Sequence, residues 1–427
     1  LSTGRGKWTP EYPELGTGPV SYQDAVSPEF FDDEQAAVFK RWWLYVGRAE
    51  RLPRKGSYFT RELGSLGSIV IVRDLDGALQ AFRNVCAHRG NKVVWQEYPD
   101  RETSGPCRAF HCKYHGWQYG LDGKVTHVTG QEHFFDLDVS KLGMPAVHVD
   151  EVGGFIFVNF GDQPEPLREF LGDKVVPHME QYPFHLMTQR YGFTAHVNGN
   201  WKLAANTIQE WYHPAYVHQK FIAPDVSQAE QMVPPTDAYY YELWDKHFIN
   251  SVPGPPPLRA KKPEGVGPAQ RNMIWVYKLF RGGLFGPDDV ADIGELPECL
   301  NPGDIASWGN DQFWLLPNTS LQIWARNYYI TYTYWPVDVD SHRYEIDMFF
   351  VPPKNASERL AQEIVVNSTI EVAMQDVNTV EATHSGVKHG GLGEFHLSDQ
   401  ELMIRKFHHT IDGAVADYRA TKNGATS

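Results

Sequence analysis

Two thiols and two imidazoles recur in a fixed pattern in the first third of the chain. Cys86 and His88 stand two positions apart, and Cys112 and His115 three apart, with residues 89–111 between the pairs. On tight loops each pair can turn both side chains toward one site. Two thiolates and two neutral imidazoles suit a [2Fe–2S] cluster, both cysteines on one iron and both histidines on the other. Replacing two anionic thiolates by neutral rings eases reduction and raises the potential. The same four ligands also suit a structural zinc, and spacing alone leaves both open. Gly90 and Gly116 supply backbone freedom beside the pairs, and Trp117 stands where it can shield the site. Cys107 is expected to be a buried apolar thiol and Cys299 a structural one.

A second set lies within 200–218. His213 and His218 are five apart, and Glu210 precedes His213 by three. On a regular helix Glu210 and His213 share a face, while His218 falls about 140° round from His213. A shared metal therefore needs a break, and Pro214 supplies one. Two imidazoles and a carboxylate form the facial triad of non-haem Fe(II) oxygenases, which leaves coordination positions for O₂. The carboxylate must come from elsewhere, and a helix expected over 356–384 offers Glu371, Asp376 and Glu381.

The elements that must position these groups follow from periodicity. Residues 28–47 carry Phe31, Val38, Trp42 and Tyr45 at helical spacing. From 56 to 161 short β-rich runs alternate with turn signals at 74–77 and 121–124, predicting a compact antiparallel domain. Residues 202–219 read as an irregular helix. Strands are expected at 312–324, 327–337 and 342–351, then a helix over 356–384 capped by Ser357. The Pro- and Gly-rich span 251–268 is a loop, either a lid or a plain connection. Aromatic runs at 239–248, 275–280 and 324–335 line a pocket or pack the core.

A net charge of −14 disfavours nucleic-acid partners. No apolar run approaches the roughly 18 residues a membrane span needs, and no export signal is visible, so a cytoplasmic location is expected. Arg89, Lys92, Arg108, Lys113 and Lys124 cluster around the Cys/His loops. They form a dock for an acidic electron donor or are scattered solvated charges.

Together, C-x-H…C-x-x-H-G-W, the Asn200-Trp201-Lys202 triplet and Tyr212-His213…His218 resemble the α-subunits of Rieske non-haem iron oxygenases of the aromatic-ring-hydroxylating type, over most of the chain. The resemblance implies that Cys86, His88, Cys112 and His115 hold the [2Fe–2S] cluster and that His213 and His218 bind a mononuclear Fe(II). The segment 375–381 resembles the family's carboxylate segment and selects Asp376 as third ligand. It implies an α+β fold: an antiparallel β Rieske domain (49–163) and a helix-grip catalytic domain (164–427) with a curved antiparallel sheet and a long C-terminal helix. Residues 1–48 would be a helical segment packing on the catalytic domain. It further implies a head-to-tail homotrimer, with or without a β-subunit, in which Glu210 bridges the cluster of one subunit to the iron of the next. NAD(P)H would supply electrons through a reductase, with or without a ferredoxin. O₂ would be the co-substrate, and the substrate an aromatic or other hydrophobic ring that is hydroxylated or dihydroxylated.

Three features depart from the family pattern. Residues 98–107 lengthen the spacer between His88 and Cys112, Glu210 stands where Asp is usual, and 202–212 is about one residue shorter than in naphthalene-type enzymes. Glu210 resembles a subgroup that includes oxidative N-demethylases and quaternary-amine oxygenases, so demethylation or monohydroxylation is the alternative chemistry. A Rieske electron-transfer protein without oxygenase activity is the alternative of another class. The separate His/His/Asp set argues against it.

Overall fold

A computed structural model describes residues 6–222, 225–254, 295–324 and 328–424, together with the short strand pair 282–283 and 286–287. The aromatic run 275–280 and most of the loop 251–268 lie outside the described residues. The chain divides into two compact units, Val38–Glu180 and the remainder.

Within Val38–Glu180 a seven-stranded antiparallel sheet runs in the order Leu44–Arg48, Phe155–Asn159, Ala146–Val152, Leu79–Arg83, Ser68–Arg73, Ser57–Glu62, Ser104–Pro106. A three-stranded sheet of Phe110–His111, Gln118–Tyr119 and Val125–His127 carries the second Cys/His pair. Val70, Phe82, Phe110, Tyr119 and Val125 share one apolar core with Cys86 and Cys112, so both thiols are fixed by packing that water does not reach. Within the spacer segment 98–107, Ser104–Pro106 forms an edge strand beside Ser57–Glu62.

The helix expected over 28–47 is shorter. A helix spans Pro28–Glu34, with Ser27 Oγ accepting from Phe30 N, and a π turn covers Gln35–Phe39. Residues Leu44–Arg48 are instead a strand paired with Phe155–Asn159 and buried on both faces. A run of aromatic and branched residues that can bury both faces gains more from a sheet than from one helical stripe.

The other unit holds a second seven-stranded antiparallel sheet, ordered Gln189–Val197, Ser341–Phe350, Tyr328–Asp338, Thr319–Trp324, Trp308–Leu315, Phe248–Pro253, Tyr240–Leu243. The strand expected over 312–324 is two strands. Pro317 has no N–H to give a ladder and sits in the turn between them. The helix Ala356–Gly390 runs past its expected end at 384 and is capped by Asn355, whose side chain accepts from Glu358 N, rather than by Ser357. Val365, Thr369, Ala373, Asp376, Val380 and His384 recur every three or four residues and form its buried stripe. A further helix, Leu402–Gly424, packs on Pro28–Glu34. The sequence reading assigned no element there, although Leu402, Ile404, Phe407, Ile411 and Val415 have helical spacing. Among the described residues no helix is long and apolar enough to cross a membrane.

Candidate metal centres

The irregular stretch 201–222 resolves into the helix Trp201–Thr207, a non-helical turn, and short helices at Pro214–Val217 and Gln219–Ile222. Pro214 opens the second helix at the position where its missing N–H costs nothing. The break brings His213 and His218 together, with Nε2 atoms 3.2 Å apart. Asp376 reaches them from the long helix, its Oδ1 3.1 Å from His218 Nε2 and 3.5 Å from His213 Nε2. The three ligand atoms lie within 4.8 Å of one another. Of the other candidate carboxylates, Glu371 is exposed on the outer face and Glu381 accepts from Asn198 N at 2.9 Å.

Both rings are oriented from behind. His218 Nδ1 bonds Gln375 Oε1 at 2.9 Å, and His213 Nδ1 bonds Glu210 Oε1. Glu210 is itself fixed, its Oε2 accepting from the backbone N–H groups of Tyr212 and His213. With each Nδ1 proton committed to an oxygen, both Nε2 lone pairs face Asp376 Oδ1, which is buried and lacks a hydrogen-bond donor. Two imidazole nitrogens and a carboxylate oxygen converging on one point fit a divalent cation. Burial works against protonating His213, but the Glu210 hydrogen bond and charge and the Asp376 charge outweigh it, so its pKa is raised.

The two Cys/His loops are built alike. Cys86 N donates to Asn91 O at 2.7 Å and Cys112 N to Trp117 O at 2.9 Å; Gly90 N donates to Cys86 O at 2.9 Å and Gly116 N to Cys112 O at 3.0 Å. Gly90 and Gly116 sit at φ 72° and 76°, the left-handed region these turns require. The His88 and His115 rings meet edge to face at 4.6 Å, and Trp117 stacks on His88 at 5.0 Å and 8°. Cys86 and Cys112 are buried and not disulfide-bonded, and His88 Nδ1 is buried without a partner. Tyr119 Oη accepts from Ala87 N, which leaves its proton for Cys86 Sγ at 3.0 Å. Asn91 Nδ2 approaches Cys112 Sγ at 3.8 Å. These donors match sulfur held as thiolate. Among the described residues only the His213/His218/Asp376 set converges within 4.8 Å. Two cysteines and two histidines on paired loops are the ligand set of a Rieske [2Fe–2S] cluster.

The surrounding charges are mixed. Lys92 pairs with Glu62 at 2.8 Å and Lys124 with Asp122 at 3.6 Å. Lys113 lies over Trp95, Arg89 lies over Tyr114, and Arg108 is exposed. Cys107 is half-buried beside the core, with its thiol pKa pushed up to about 11 by burial. Cys299 is also half-buried and is pushed up to about 11, chiefly by burial.

A cavity of about 140 Å³ opens beside the triad, walled by Trp211, Trp324, Ile330, Tyr332, Val372 and Ala373. Gln312 and Gln322 complete it from the sheet. Tyr239, Tyr241 and Phe248 from the run 239–248 are core packing instead. Sequence reasoning did not find Gln375, Gln312, Gln322, Asn91 or Tyr119. Only Gln375 had a signal, its place next to Asp376.

A β domain with paired Cys/His loops and a curved-sheet domain with a separate His/His/Asp site define a protein built around two metal centres. The chain belongs to the ring-hydroxylating α-subunit family: the family's catalytic domain matches residues 184–417, more than half of the chain, and a Rieske [2Fe–2S] domain matches 42–142. It is 32% identical over 199 residues to the glycine betaine monooxygenase oxygenase subunit of Chromohalobacter salexigens, covering 46% of this chain and 42% of that protein. It is 32% identical over 204 residues to the toluate 1,2-dioxygenase α-subunit of Pseudomonas putida, covering 46% and 43%. The chain thus matches less than half the length of these relatives. A solved quaternary ammonium Rieske monooxygenase shares the fold, with a TM-score of 0.72 at 20% identity over 96% of this chain and all of that one.

Proposed function

We propose that the chain is the oxygenase component of a multicomponent Rieske oxygenase that hydroxylates or dihydroxylates an aromatic or other hydrophobic ring substrate with O₂. The observation that carries this reading is the convergence of His213, His218 and Asp376 at an apolar, aromatic-walled cavity. Cys86, His88, Cys112 and His115 would hold the cluster, and His213, His218 and Asp376 the mononuclear Fe(II). When bound, the cluster supplies single electrons and the mononuclear iron activates dioxygen.

The chain's own residues position and shield. Gln375 and Glu210 hold the two rings with Nε2 inward. Trp211, Trp324 and Tyr332 exclude water and give a flat substrate broad apolar contact. Glu210, anchored by two backbone N–H groups, is the inter-subunit bridge in this reading, in a head-to-tail homotrimer. A reductase drawing on NAD(P)H, with or without a ferredoxin, is the electron source, and a β-subunit is an optional partner. In this reading the unit Val38–Glu180 carries the cluster and Leu1–Ala37 with Gln181–Ser427 carries catalysis, so the boundaries expected at 48 and 163 move to 37 and 180 and Leu44–Arg48 belongs with the cluster.

Oxidative demethylation, including that of quaternary amines, is the second reading. Glu210 in place of Asp favours it, as does the similarity to a glycine betaine monooxygenase. Aromatic walls also attract alkylammonium groups. Turnover under ¹⁸O₂ separates the two: label retained in a ring hydroxyl supports hydroxylation, and formaldehyde release supports demethylation. Neither product from any ring or methylamine substrate, with iron and reductase supplied, would reject both.

A further inference from the structure

We infer that the cavity has a built hydrogen-bonding wall, Gln312 and Gln322, that selects a single-ring substrate bearing a hydrogen-bond donor, a hydroxyl. This rests on the oxygenase reading above and narrows its substrate class.

The register places the wall. Asn250 pairs directly with Gln312, Gln312 with Gln322, Gln322 with Ile330, and Ile330 with Met348. Directly paired residues share a face of a sheet, so three amides cross three neighbouring strands in one row before the row turns apolar. The flanking rows on the same face carry Trp324 on one side and Tyr332 on the other. Gln312, Gln322, Trp324, Ile330 and Tyr332 all line the cavity, as do Ala373 and Asp376 of the long helix.

Burial makes the amides expensive. Asn250 and Gln312 are fully buried and Gln322 is 5% exposed. Gln312 Nε2 donates to Ile208 O, but Gln312 Oε1 and both amide atoms of Asn250 find no partner. A buried amide group left unmatched costs about 1–3 kcal/mol. Leu or Ile at these positions would serve a hydrocarbon substrate without that cost. Of the unmatched atoms, Gln312 Oε1 belongs to a cavity-lining residue, so a donor on a bound ligand would complete it.

The wall is neutral. No Lys or Arg is among the described lining residues, and the carboxylates there, Glu210 and Asp376, face the histidines. A hydroxyl can donate to the unmet Gln312 Oε1 and also accept from an amide N–H, whereas a carbonyl only accepts. The size is set by the cavity: about 140 Å³ is close to the roughly 150 Å³ of an apolar cavity that admits benzene.

The test uses the iron-loaded holoenzyme and reads binding by quenching of tryptophan fluorescence, since Trp211 and Trp324 border the site. The probes are phenol, acetophenone and toluene. Phenol should bind about tenfold or more tightly than acetophenone or toluene, from the cost of the unmet Gln312 acceptor. Gln312→Leu should erase most of that preference while keeping the visible spectrum of the cluster. Toluene or acetophenone binding as tightly as phenol to the native protein overturns the inference, with no variant needed. An unchanged preference in Gln312→Leu also overturns it. Failure of the oxygenase reading would look different: no probe would elicit O₂ uptake, whatever the binding order.

Discussion

The Nε2 atoms of His213 and His218 face each other at 3.2 Å, and as neutral imidazoles neither can donate to the other. Each ring has its Nδ1 proton engaged, His213 with Glu210 and His218 with Gln375. Glu210 and Gln375 hold the pair from behind, and Asp376 closes the third side.

Gln375→Leu should therefore weaken mononuclear iron binding without touching the cluster. Outer partners of metal-bound histidines typically contribute about 10–100-fold in metal affinity or activity. Iron titration of the apo-site, followed by the visible spectrum of the intact cluster, reads both at once. Native affinity in the variant would show that Gln375 does not orient His218.

Glu210→Gln should keep both metal centres and abolish product formation. Glutamine retains an oxygen for the Tyr212 and His213 N–H groups, so the turn should survive while the charge is lost. Single-turnover kinetics with pre-reduced protein checks this. Coupled turnover at the native rate would remove Glu210 from the electron path.

Gly116→Val should destroy the cluster loop. A Cβ at 116 would meet Thr129 Oγ1 at 2.9 Å, and φ is 76° there, a conformation costly for a β-branched residue. The purified variant should be colourless, with acid-labile sulfide lost. A brown variant with native sulfide would contradict the loop geometry.

Lys202→Met should destabilise the catalytic unit by about 3–5 kcal/mol, the usual effect of stranding a buried charge. Lys202 Nζ bonds Glu34 Oε1 at 2.7 Å, Trp201 Nε1 bonds the other oxygen at 2.9 Å, and Lys202 and Glu34 are fully buried. Urea unfolding followed by tryptophan fluorescence measures it. A loss below about 1 kcal/mol, the scale of an exposed pair, would show that Glu34 is not left uncompensated.

Stability should carry a term from Asp311 in mildly acid solution. Burial, partly offset by bonds from Asn301 N, Ser251 and Trp308, pushes its pKa from 3.8 up to about 6. The folded state then holds a proton that the unfolded state releases sooner. The stability this contributes is full below pH 3.8 and is lost as pH rises toward about 6. Asp311→Asn should flatten that slope. An identical slope in the variant would assign the titration elsewhere.

The cluster loops were legible because their geometry is local: two ligands, a glycine and a tryptophan lie within six consecutive residues from Cys112 to Trp117. The pair His213 and His218 was legible because Pro214 announces the break. Asp376 was separated from Glu371 and Glu381 by resemblance alone. The structure separates them by helical phase, since the buried stripe through Thr369, Ala373 and Val380 includes Asp376 and leaves Glu371 outside. The amide wall was not legible, because Asn250, Gln312 and Gln322 meet through cross-strand register that no spacing encodes. Residues 44–47 misled because their apolar positions satisfy helix and strand alike, and pairing with Phe155–Asn159 decided between them.

Metal and sulfide analysis of the purified chain, with electron paramagnetic resonance after reduction, is the most direct test that two separate iron centres are present. The expected result is acid-labile sulfide with the signal of a reduced, histidine-ligated [2Fe–2S] pair, plus one further iron that His213→Ala removes. Zinc in a colourless protein, or cluster iron with no additional iron that depends on His213, would contradict it.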